Sequence, residues 1–202
     1  EAITGAVDAS REGCYVYAYS DAFDQAAHDF GVASGEAQAI VRRLDHCFER
    51  LAEALAARGA LLAVTADHGF VDVAAQLRFR LDQFGDIAAC LERPLCGGPR
   101  TPFAYVKRDS RGDFAAVVER SLGGHFVAVP SSDLVDAGWF GPDDPAPRLR
   151  PRLGTHVLLP RTGAYLVDLL PGERPFLLPI GMHGGLSSAE CRVPLILAGA
   201  SG

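Results

Sequence analysis

The amino-acid sequence predicts an α/β fold, and the order of elements near its amino terminus carries the prediction. Cys14–Tyr19 is a short aromatic and β-branched run that is typical of a buried strand, and Leu61–Thr65 is a second apolar run. Residues 34–58 lie between them and show an amphipathic helical pattern. A strand, a helix and a second strand form a βαβ unit, which implies a parallel sheet with a right-handed crossover.

The helix predicted over residues 34–58 has the clearest pattern in the chain. Ser34 is a suitable N-cap, because its hydroxyl can accept a hydrogen bond from a free amide of the first turn. Gly59 is the residue type that most often follows a helix end. The apolar side chains recur at helical spacing and form one face: Ile40, Val41, Leu44, Phe48, Leu51 and Leu55.

Residues 72–180 show a mixed pattern, which we interpret as an α+β insertion in the sheet. Asp113–Leu122 is predicted to be a helix, and turn-rich stretches separate the other elements. The predicted strands of the insertion are Phe103–Val106, Phe126–Val129, His156–Leu159 and Ala164–Val167. Val193–Ala198 then returns to the core as the last strand, and Pro194 indicates a start at a sheet edge or just before pairing begins.

The composition is that of a globular protein. Of the 202 residues, 49% are apolar and 22% are charged, which allows a sizeable core and argues against disorder. The net charge is −6 and no Lys/Arg-rich run occurs, so we expect no nucleic-acid partner. A negatively charged protein that binds a phosphate ester needs another source of positive charge, and a metal ion is the obvious one. No apolar run reaches the length of a membrane span.

The five cysteines indicate neither a disulfide framework nor a zinc ribbon, because their number is odd and no C-x-x-C pair occurs. We expect buried thiols in a reducing compartment, which slightly favours the cytoplasm, although the sequence does not define the compartment. The chain begins at Glu1 and enters an apolar run almost at once. We therefore expect a truncated amino terminus, with any signal peptide upstream of Glu1.

Three short segments carry side chains that bind metals. Asp24 and His28 are four residues apart, which places them on one side of a helical turn. Asp67 and His68 directly follow a predicted strand and precede a glycine, and His183 lies in a glycine-rich loop that can bring it close to the others. Sites in parallel sheets gather at the carboxyl ends of strands, so we expect these residues on one rim. Oxygen and nitrogen ligands fit Zn²⁺, or Mn²⁺ as a harder substitute.

Each segment also has a purely structural interpretation. Asp24 can cap a helix, Asp67 and His68 can form a polar turn, and a histidine in a glycine loop, such as His183, is more often a surface residue. The order of the three segments and their places after strands favour the metal site. Arg100 follows a Gly-Gly-Pro turn, where it can contact a phosphate group, but a surface arginine is the simpler interpretation.

The three segments together resemble the type I phosphodiesterase/nucleotide pyrophosphatase family of the alkaline phosphatase superfamily. The matching stretches are residues 19–31, 65–69 and 183–190, and the resemblance covers essentially the whole chain. It implies an alkaline-phosphatase-like α/β sandwich around a parallel sheet. Residues 1–202 would form the carboxy-terminal part of one catalytic domain, with the amino-terminal strands missing.

The resemblance implies a hydrolase of phosphate esters, with phosphodiester or nucleotide pyrophosphate bonds as the expected targets. Two zinc ions would take part in an in-line displacement at phosphorus. Asp24, His28 and His183 would bind one ion, and Asp67 and His68 would bind the other. The substrate would be a small-molecule phosphate ester.

The nucleophile that the resemblance implies, a threonine or serine at a helix start, has no good counterpart here. Thr4 and Ser10 precede the first matching stretch but follow no suitable strand. We therefore expect the nucleophile outside this chain, and we expect the chain alone to bind about one zinc ion without catalysis. A phosphomonoesterase or phosphonate hydrolase of the same superfamily would use the same ligands, and a non-catalytic binding module is the alternative from another class.

Overall fold

Three helices precede the first strand in this computed structural model, which describes residues 1–142, 144–169 and 178–199. They are α1 (Ala2–Ala9), α2 (Ala22–Phe30) and α3 (Gly35–Ala56). The prediction of a long helix after residue 34 is confirmed by α3. The hydroxyl of Ser34 accepts a hydrogen bond of 3.0 Å from the amide of Ala37, and Gly59 adopts a φ of 66° just beyond the helix end.

The strand predicted over Cys14–Tyr19 is wrong. These residues carry no regular secondary structure, and Tyr15, Tyr17 and Tyr19 are 89%, 74% and 65% exposed. An apolar run becomes a strand only where a neighbouring strand takes up its backbone hydrogen bonds, and none of the described strands pairs with it. The predicted βαβ unit is therefore not formed by these residues.

The first strand, β1 (Leu62–Thr65), pairs with an antiparallel strand from the end of the described chain, residues 195–198. Its register places Leu62 opposite Ala198 and Thr65 opposite Leu195. Pro194 directly precedes the first paired residue, as its position in the sequence predicts. Within the described residues, this pair forms a sheet of two strands, and α3 packs against β1.

The remaining strands form small mixed sheets. β2 (Val71–Asp72) pairs with residues 181–182, and β3 (Arg78–Arg80) forms a parallel pair with residues 165–167. The helix α4 (Gly85–Cys90) follows, and β4 (Phe103–Ala104) then begins a three-stranded antiparallel sheet. The later elements are α5 (Phe114–Leu122), β5 (Phe126–Pro130), α6 (Ser131–Asp136), α7 (Leu149–Arg152), β6 (His156–Pro160), β7 (Tyr165–Val167), β8 (Gly181–Met182), α8 (Ser188–Cys191) and β9 (Leu195–Ala198).

The three-stranded sheet has the order β4, β6, β5, and it confirms that the predicted strands around residues 103, 126 and 156 exist. The predicted helix over Asp113–Leu122 is confirmed by α5, which packs against β5. Three 3₁₀ turns at residues 75–77, 81–83 and 108–110 link the elements. Of the helices in the described ranges, none has the length and apolar character needed to cross a lipid bilayer.

The larger hydrophobic core lies between α4, α5 and the three-stranded sheet. All its buried members come from residues 81–166, which is within the predicted insertion, and they include Phe114, Val118, Phe126 and Leu158. A smaller core of Val73, Tyr165 and Met182 joins the residue after β2 to β7 and β8. This smaller core connects the predicted insertion to β8.

The prediction of buried thiols is wrong for most of the cysteines. Cys90 is half-buried, and four are exposed: Cys14, Cys47, Cys96 and Cys191. Cys14 lies in the unpaired segment before α2, and Cys47 lies on the outward side of α3. A thiol is small and only weakly polar, so its transfer from water into a core gains too little free energy to decide where these segments pack.

Candidate metal centre

The helix α2 presents Asp24 and His28 on the same side, as their spacing predicts. Nε2 of His28 lies 3.6 Å from Oδ2 of Asp24. On the other side of the ring, Nδ1 of His28 lies 2.8 Å from the carbonyl oxygen of Gly181 in β8. Because a carbonyl only accepts, this bond places the proton on Nδ1 and leaves a lone pair on Nε2 of the neutral ring.

The turn after β1 brings His68 to the same carboxylate. Nε2 of His68 lies 3.8 Å from Oδ1 of Asp24 and 3.7 Å from Oδ1 of Asp67. Nδ1 of His68 lies 3.1 Å from the carbonyl oxygen of Gly69, so this ring also turns Nε2 toward the carboxylates. The side chain of Asp67 is 64% exposed, against 32% for Asp24, which places Asp67 at the outer edge of the cluster.

His183 directly follows β8 and joins the cluster from a distant part of the sequence. Nε2 of His183 lies 3.6 Å from Oδ1 of Asp24. The ring stacks on His68, with centroids 3.6 Å apart and planes at 8°. Burial, followed by the charge of His68, lowers the pKa of His183, so its neutral form is favoured.

The structure thus brings together five side chains that the sequence places in three distant segments. Asp24 is the common partner: one carboxylate oxygen faces His28 and the other faces both His68 and His183. Donor atoms of Asp24, His68 and His183 all lie within 4.8 Å of one another. The resemblance implies that Asp24 and His183 bind one ion and that His68 binds the other, whereas these three side chains lie together in the structure. The assignment of the five side chains to two ions remains a prediction.

The donor set fits a divalent cation. Zinc lies about 2.0–2.2 Å from histidine nitrogens and carboxylate oxygens, which puts neighbouring donors of a tetrahedral ion about 3.4 Å apart. The observed separations of 3.6 and 3.8 Å between Asp24 and the two histidines require little change. The Nδ1 bonds of His28 and His68 to backbone carbonyls are the outer contacts that orient metal-binding imidazoles.

A cleft of about 450 Å³ opens beside the cluster. His28 and His183 line this cleft together with Pro99 and Thr101 from the predicted insertion. This volume is within the range of small-molecule sites. The cleft therefore offers room for an organic group next to the five side chains.

A buried ion pair that the sequence pattern did not predict lies behind the cluster. The side chains of Arg100 and Glu190 are 2% and 0% exposed, so the interpretation of Arg100 as a surface arginine is wrong. Nε and Nη2 of Arg100 donate to the two carboxylate oxygens of Glu190, each over 2.7 Å. The position of Glu190 could have been inferred from the sequence, because Ser187 and Glu190 form a capping box at the start of α8.

Replacing Glu190 with glutamine is expected to destabilise the protein more at neutral pH than in acid. Burial alone raises the pKa of Glu190, but hydrogen bonds from Arg100 and Ser187 outweigh it and lower the pKa from 4.5 to about 2. The carboxylate therefore contributes stability above pH 4.5, and this contribution is lost as the pH falls toward 2. Urea unfolding at pH 7 should show a loss of about 3 kcal/mol in the variant.

At pH 3 the difference between the unchanged protein and Glu190→Gln should be about 2 kcal/mol smaller than at pH 7. The matched control is Glu119→Gln, because Glu119 pairs with Arg161 over 2.9 Å but is 56% exposed. That control should cost less than about 1 kcal/mol at either pH. A difference for Glu190→Gln that does not change between the two pH values would contradict the expectation.

Most of this chain matches a known sequence family. Residues 5–184 match the family model of the type I phosphodiesterases/nucleotide pyrophosphatases. A comparison with curated proteins found no significant match. The matched range contains all five side chains of the cluster.

Solved structures show the same fold at low sequence identity. Murine ectonucleotide pyrophosphatase/phosphodiesterase 5, an inactive form in complex with AMP, is 19% identical with a TM-score of 0.62. That match covers 88% of this chain and 44% of the murine chain. The human protein of the same name is 14% identical with a TM-score of 0.66, covering 87% of this chain and 44% of its own.

This chain therefore spans less than half the length of these two relatives. The predicted fold class, an alkaline-phosphatase-like α/β fold represented in part, is confirmed by these matches. The small mixed sheets around the cluster are the part of that fold that the described residues form. Since the family model extends over residues 5–184, the chain belongs to the type I phosphodiesterase/nucleotide pyrophosphatase family.

Proposed function

We propose that this chain carries the cation-binding part of a hydrolase that cleaves phosphodiester or nucleotide pyrophosphate bonds. One observation carries the proposal: the carboxylate of Asp24 lies within 3.8 Å of Nε2 in each of three histidines from three distant segments. Membership of the family supports the reaction class. The murine relative is solved with AMP, which supports a small nucleotide or a similar phosphate ester as the substrate.

We assign all five side chains as cation ligands, with Asp24, His28 and His183 at one ion and Asp67 and His68 at the other. Zn²⁺ suits the mixture of imidazole and carboxylate, and Mn²⁺ is the alternative. A bound divalent cation supplies positive charge that stabilises phosphoryl oxygens as negative charge develops on them. The net charge of −6 is consistent with a bound cation as the source of positive charge for an anionic substrate.

Hydrogen bonds within this chain orient the side chains that we assign as cation ligands. His28 and His68 keep Nε2 free because their Nδ1 atoms bond backbone carbonyls, so both rings are held in one tautomer. Asp24 lies on a helix that is tied to β8, since the amide of Ile180 donates to the carbonyl of His28 over 2.8 Å. These bonds fix the orientation of the two imidazole rings and the position of the helix that carries Asp24.

We assign the attacking hydroxyl, a threonine or serine, to a residue outside these 202. Thr4 lies inside α1 and its hydroxyl donates to the carbonyl of Glu1 over 3.0 Å. Ser10 follows α1 and donates to the carbonyl of Gly13 over 2.7 Å. Both hydroxyls are engaged in local bonds that do not orient them as nucleophiles. This assignment agrees with a chain that spans 44% of its structural relatives.

We assign residues 72–180 to an α+β insertion in one catalytic domain, with the chain as the carboxy-terminal part of that domain. The larger core supports this, because its buried members all come from residues 81–166. Pro99 and Thr101 of the insertion line the same cleft as His28 and His183. The insertion therefore shapes the space that would take the organic group of the ester.

The test is hydrolysis of a nitrophenyl phosphodiester and of the corresponding monoester by the full-length protein that contains this chain. After removal of metals with a chelator, activity should be lost and should return with Zn²⁺ or Mn²⁺, and the diester should be the better substrate. His183→Ala should abolish the returned activity. His46→Ala is the matched control, because His46 is 68% exposed on α3 and should leave the rates unchanged.

Three other outcomes of this test would refute the proposal or favour one of the alternatives. Activity that survives complete metal removal would refute it. A clear preference for the monoester would favour the phosphomonoesterase alternative, which uses the same ligands. Cation binding without hydrolysis of either ester by the full-length protein would indicate a binding module instead. The isolated chain should bind about one zinc ion and hydrolyse neither ester.

A further inference from the structure

We infer that the buried ion pair between Arg100 and Glu190 positions the cation ligands, an inference that rests on the metal site proposed above. Neither residue contacts Asp24 or a histidine of the cluster through the hydrogen bonds that the structure describes. The pair instead bonds the backbone on either side of the cluster. Its proposed role is to hold two ligand-bearing loops at a fixed distance from each other.

Glu190 is bonded to both loops. One carboxylate oxygen accepts a hydrogen bond of 2.8 Å from the amide of Gly185, two residues after His183. The backbone carbonyl of the same glutamate accepts a bond of 2.7 Å from the amide of Gly69, which directly follows His68. His68 and His183 are the two rings that stack on each other, so one residue fixes the chain next to both rings.

Arg100 attaches this arrangement to the predicted insertion. Besides its two bonds to Glu190, it donates through Nη1 to the carbonyl oxygens of Thr162, at 3.2 Å, and Ala164. Ala164 is fully buried and directly precedes β7, so the guanidinium is held against the core. Motion of Glu190 away from the cluster would therefore break either its two bonds to Arg100 or, if Arg100 moved with it, the two bonds from Arg100 to the carbonyls of Thr162 and Ala164.

A neighbouring contact acts on the same loop. The hydroxyl of Thr101 donates to the carbonyl of Gly184 over 2.9 Å, one residue after His183. The two consecutive residues Arg100 and Thr101 thus hold the histidine loop at two points, one through Glu190 and one directly.

Both ligand loops pack closely against the segment that contains Glu190. A Cβ atom at Gly185 would lie 2.6 Å from both carboxylate oxygens of Glu190 and 2.7 Å from Nη2 of Arg100. A Cβ atom at Gly69 would lie 1.9 Å from the carbonyl oxygen of Ala189. Both glycines are therefore required by close approach: Gly185 packs onto the carboxylate of Glu190, and Gly69 packs onto the backbone of Ala189, the residue before Glu190.

Stability alone is a weak explanation for such a pair. The desolvation cost of two buried charges offsets much of their attraction, and apolar side chains of similar volume often stabilise a fold as well. What the pair provides is fixed geometry, because all its bonds are directional and charge-assisted. Outer contacts that orient metal ligands typically change metal affinity by about 10–100-fold when they are removed.

The experiment measures Zn²⁺ affinity of the metal-free protein by competition with a chromophoric chelator. Glu190→Gln and Arg100→Lys should each bind Zn²⁺ about 10–100-fold more weakly than the unchanged protein. Thr101→Val, which removes one bond and keeps the shape, should give a smaller loss in the same direction. Asp136→Asn is the matched control, because Asp136 pairs with Arg150 over 2.8 Å and is 66% exposed.

Two further measurements separate positioning from stability. Urea unfolding of each variant establishes that it is folded under the conditions of the titration, and Thr101→Val serves if the ion-pair variants do not fold. The visible spectrum of bound Co²⁺ should differ between Glu190→Gln and the unchanged protein, because the ligand geometry changes. Equal Zn²⁺ affinity and equal Co²⁺ spectra in folded variants would overturn this inference alone. Failure of the unchanged protein to bind Zn²⁺ would overturn the proposed metal site as well.

Discussion

Replacing Asp24 with asparagine is expected to weaken Zn²⁺ binding by about 100-fold or more, which corresponds to about 3 kcal/mol. Asp24 is the carboxylate that faces His28, His68 and His183 together, at distances of 3.6–3.8 Å. The substitution removes the negative charge at the centre of the cluster, and the electrostatic attraction for a divalent cation falls by several kcal/mol at partly buried sites. Isothermal titration calorimetry of the metal-free protein measures the change directly.

The control for this substitution lies on the same helix. Asp21 is the N-cap residue of α2, and its carboxylate accepts a hydrogen bond of 2.8 Å from Gln25. Asp21→Asn changes the charge of the protein equally but should leave the Zn²⁺ affinity within about twofold. Similar losses for Asp21→Asn and Asp24→Asn would show that general charge, and not coordination by Asp24, attracts the cation.

Replacing Phe114 with alanine is expected to lower the free energy of unfolding by about 3–5 kcal/mol. The ring is fully buried in the larger core, where it begins α5 and packs 5.1 Å from the ring of His156 between centroids. The cost has two parts, since apolar surface is no longer buried and a cavity remains in a core that relaxes only partly. Urea unfolding at neutral pH gives the value.

Phe30→Ala is the control for this core substitution. Phe30 ends α2 and is 52% exposed, so the same loss of atoms should change the free energy of unfolding by about 0.5 kcal/mol or less. A loss below about 1 kcal/mol for Phe114→Ala would indicate that the larger core is not closely packed around this ring.

The helices α3 and α5 were predictable because their signals are local. The N-cap of Ser34 and the periodic apolar residues of α3 lie within one continuous segment, so neighbouring residues suffice to define the helix. A strand depends on a partner that is distant in sequence. Cys14–Tyr19 has the composition of a strand but no partner among the described strands, and β1 pairs instead with β9, which lies about 130 residues away.

The candidate site was predictable in its members but not in its arrangement. The spacing of Asp24 and His28 places both on one side of α2, as observed. The stacking of His68 on His183 was not predictable, because it depends on the approach of two loops to Glu190. Arg100 had no signal, since its partner is 90 residues away and only the fold brings them together.

The ribbon formed by β1 and β9 has a consequence for the behaviour of this chain in solution. Leu195, Ile196 and Leu197 are 71%, 55% and 60% exposed, and within the described residues each of the two strands pairs on one side only. Such a ribbon exposes an apolar surface and unpaired backbone N–H and C=O groups, and other chains can bind to both. In concentrated preparations of the isolated chain, precipitation and intermolecular strand exchange would therefore start at this ribbon.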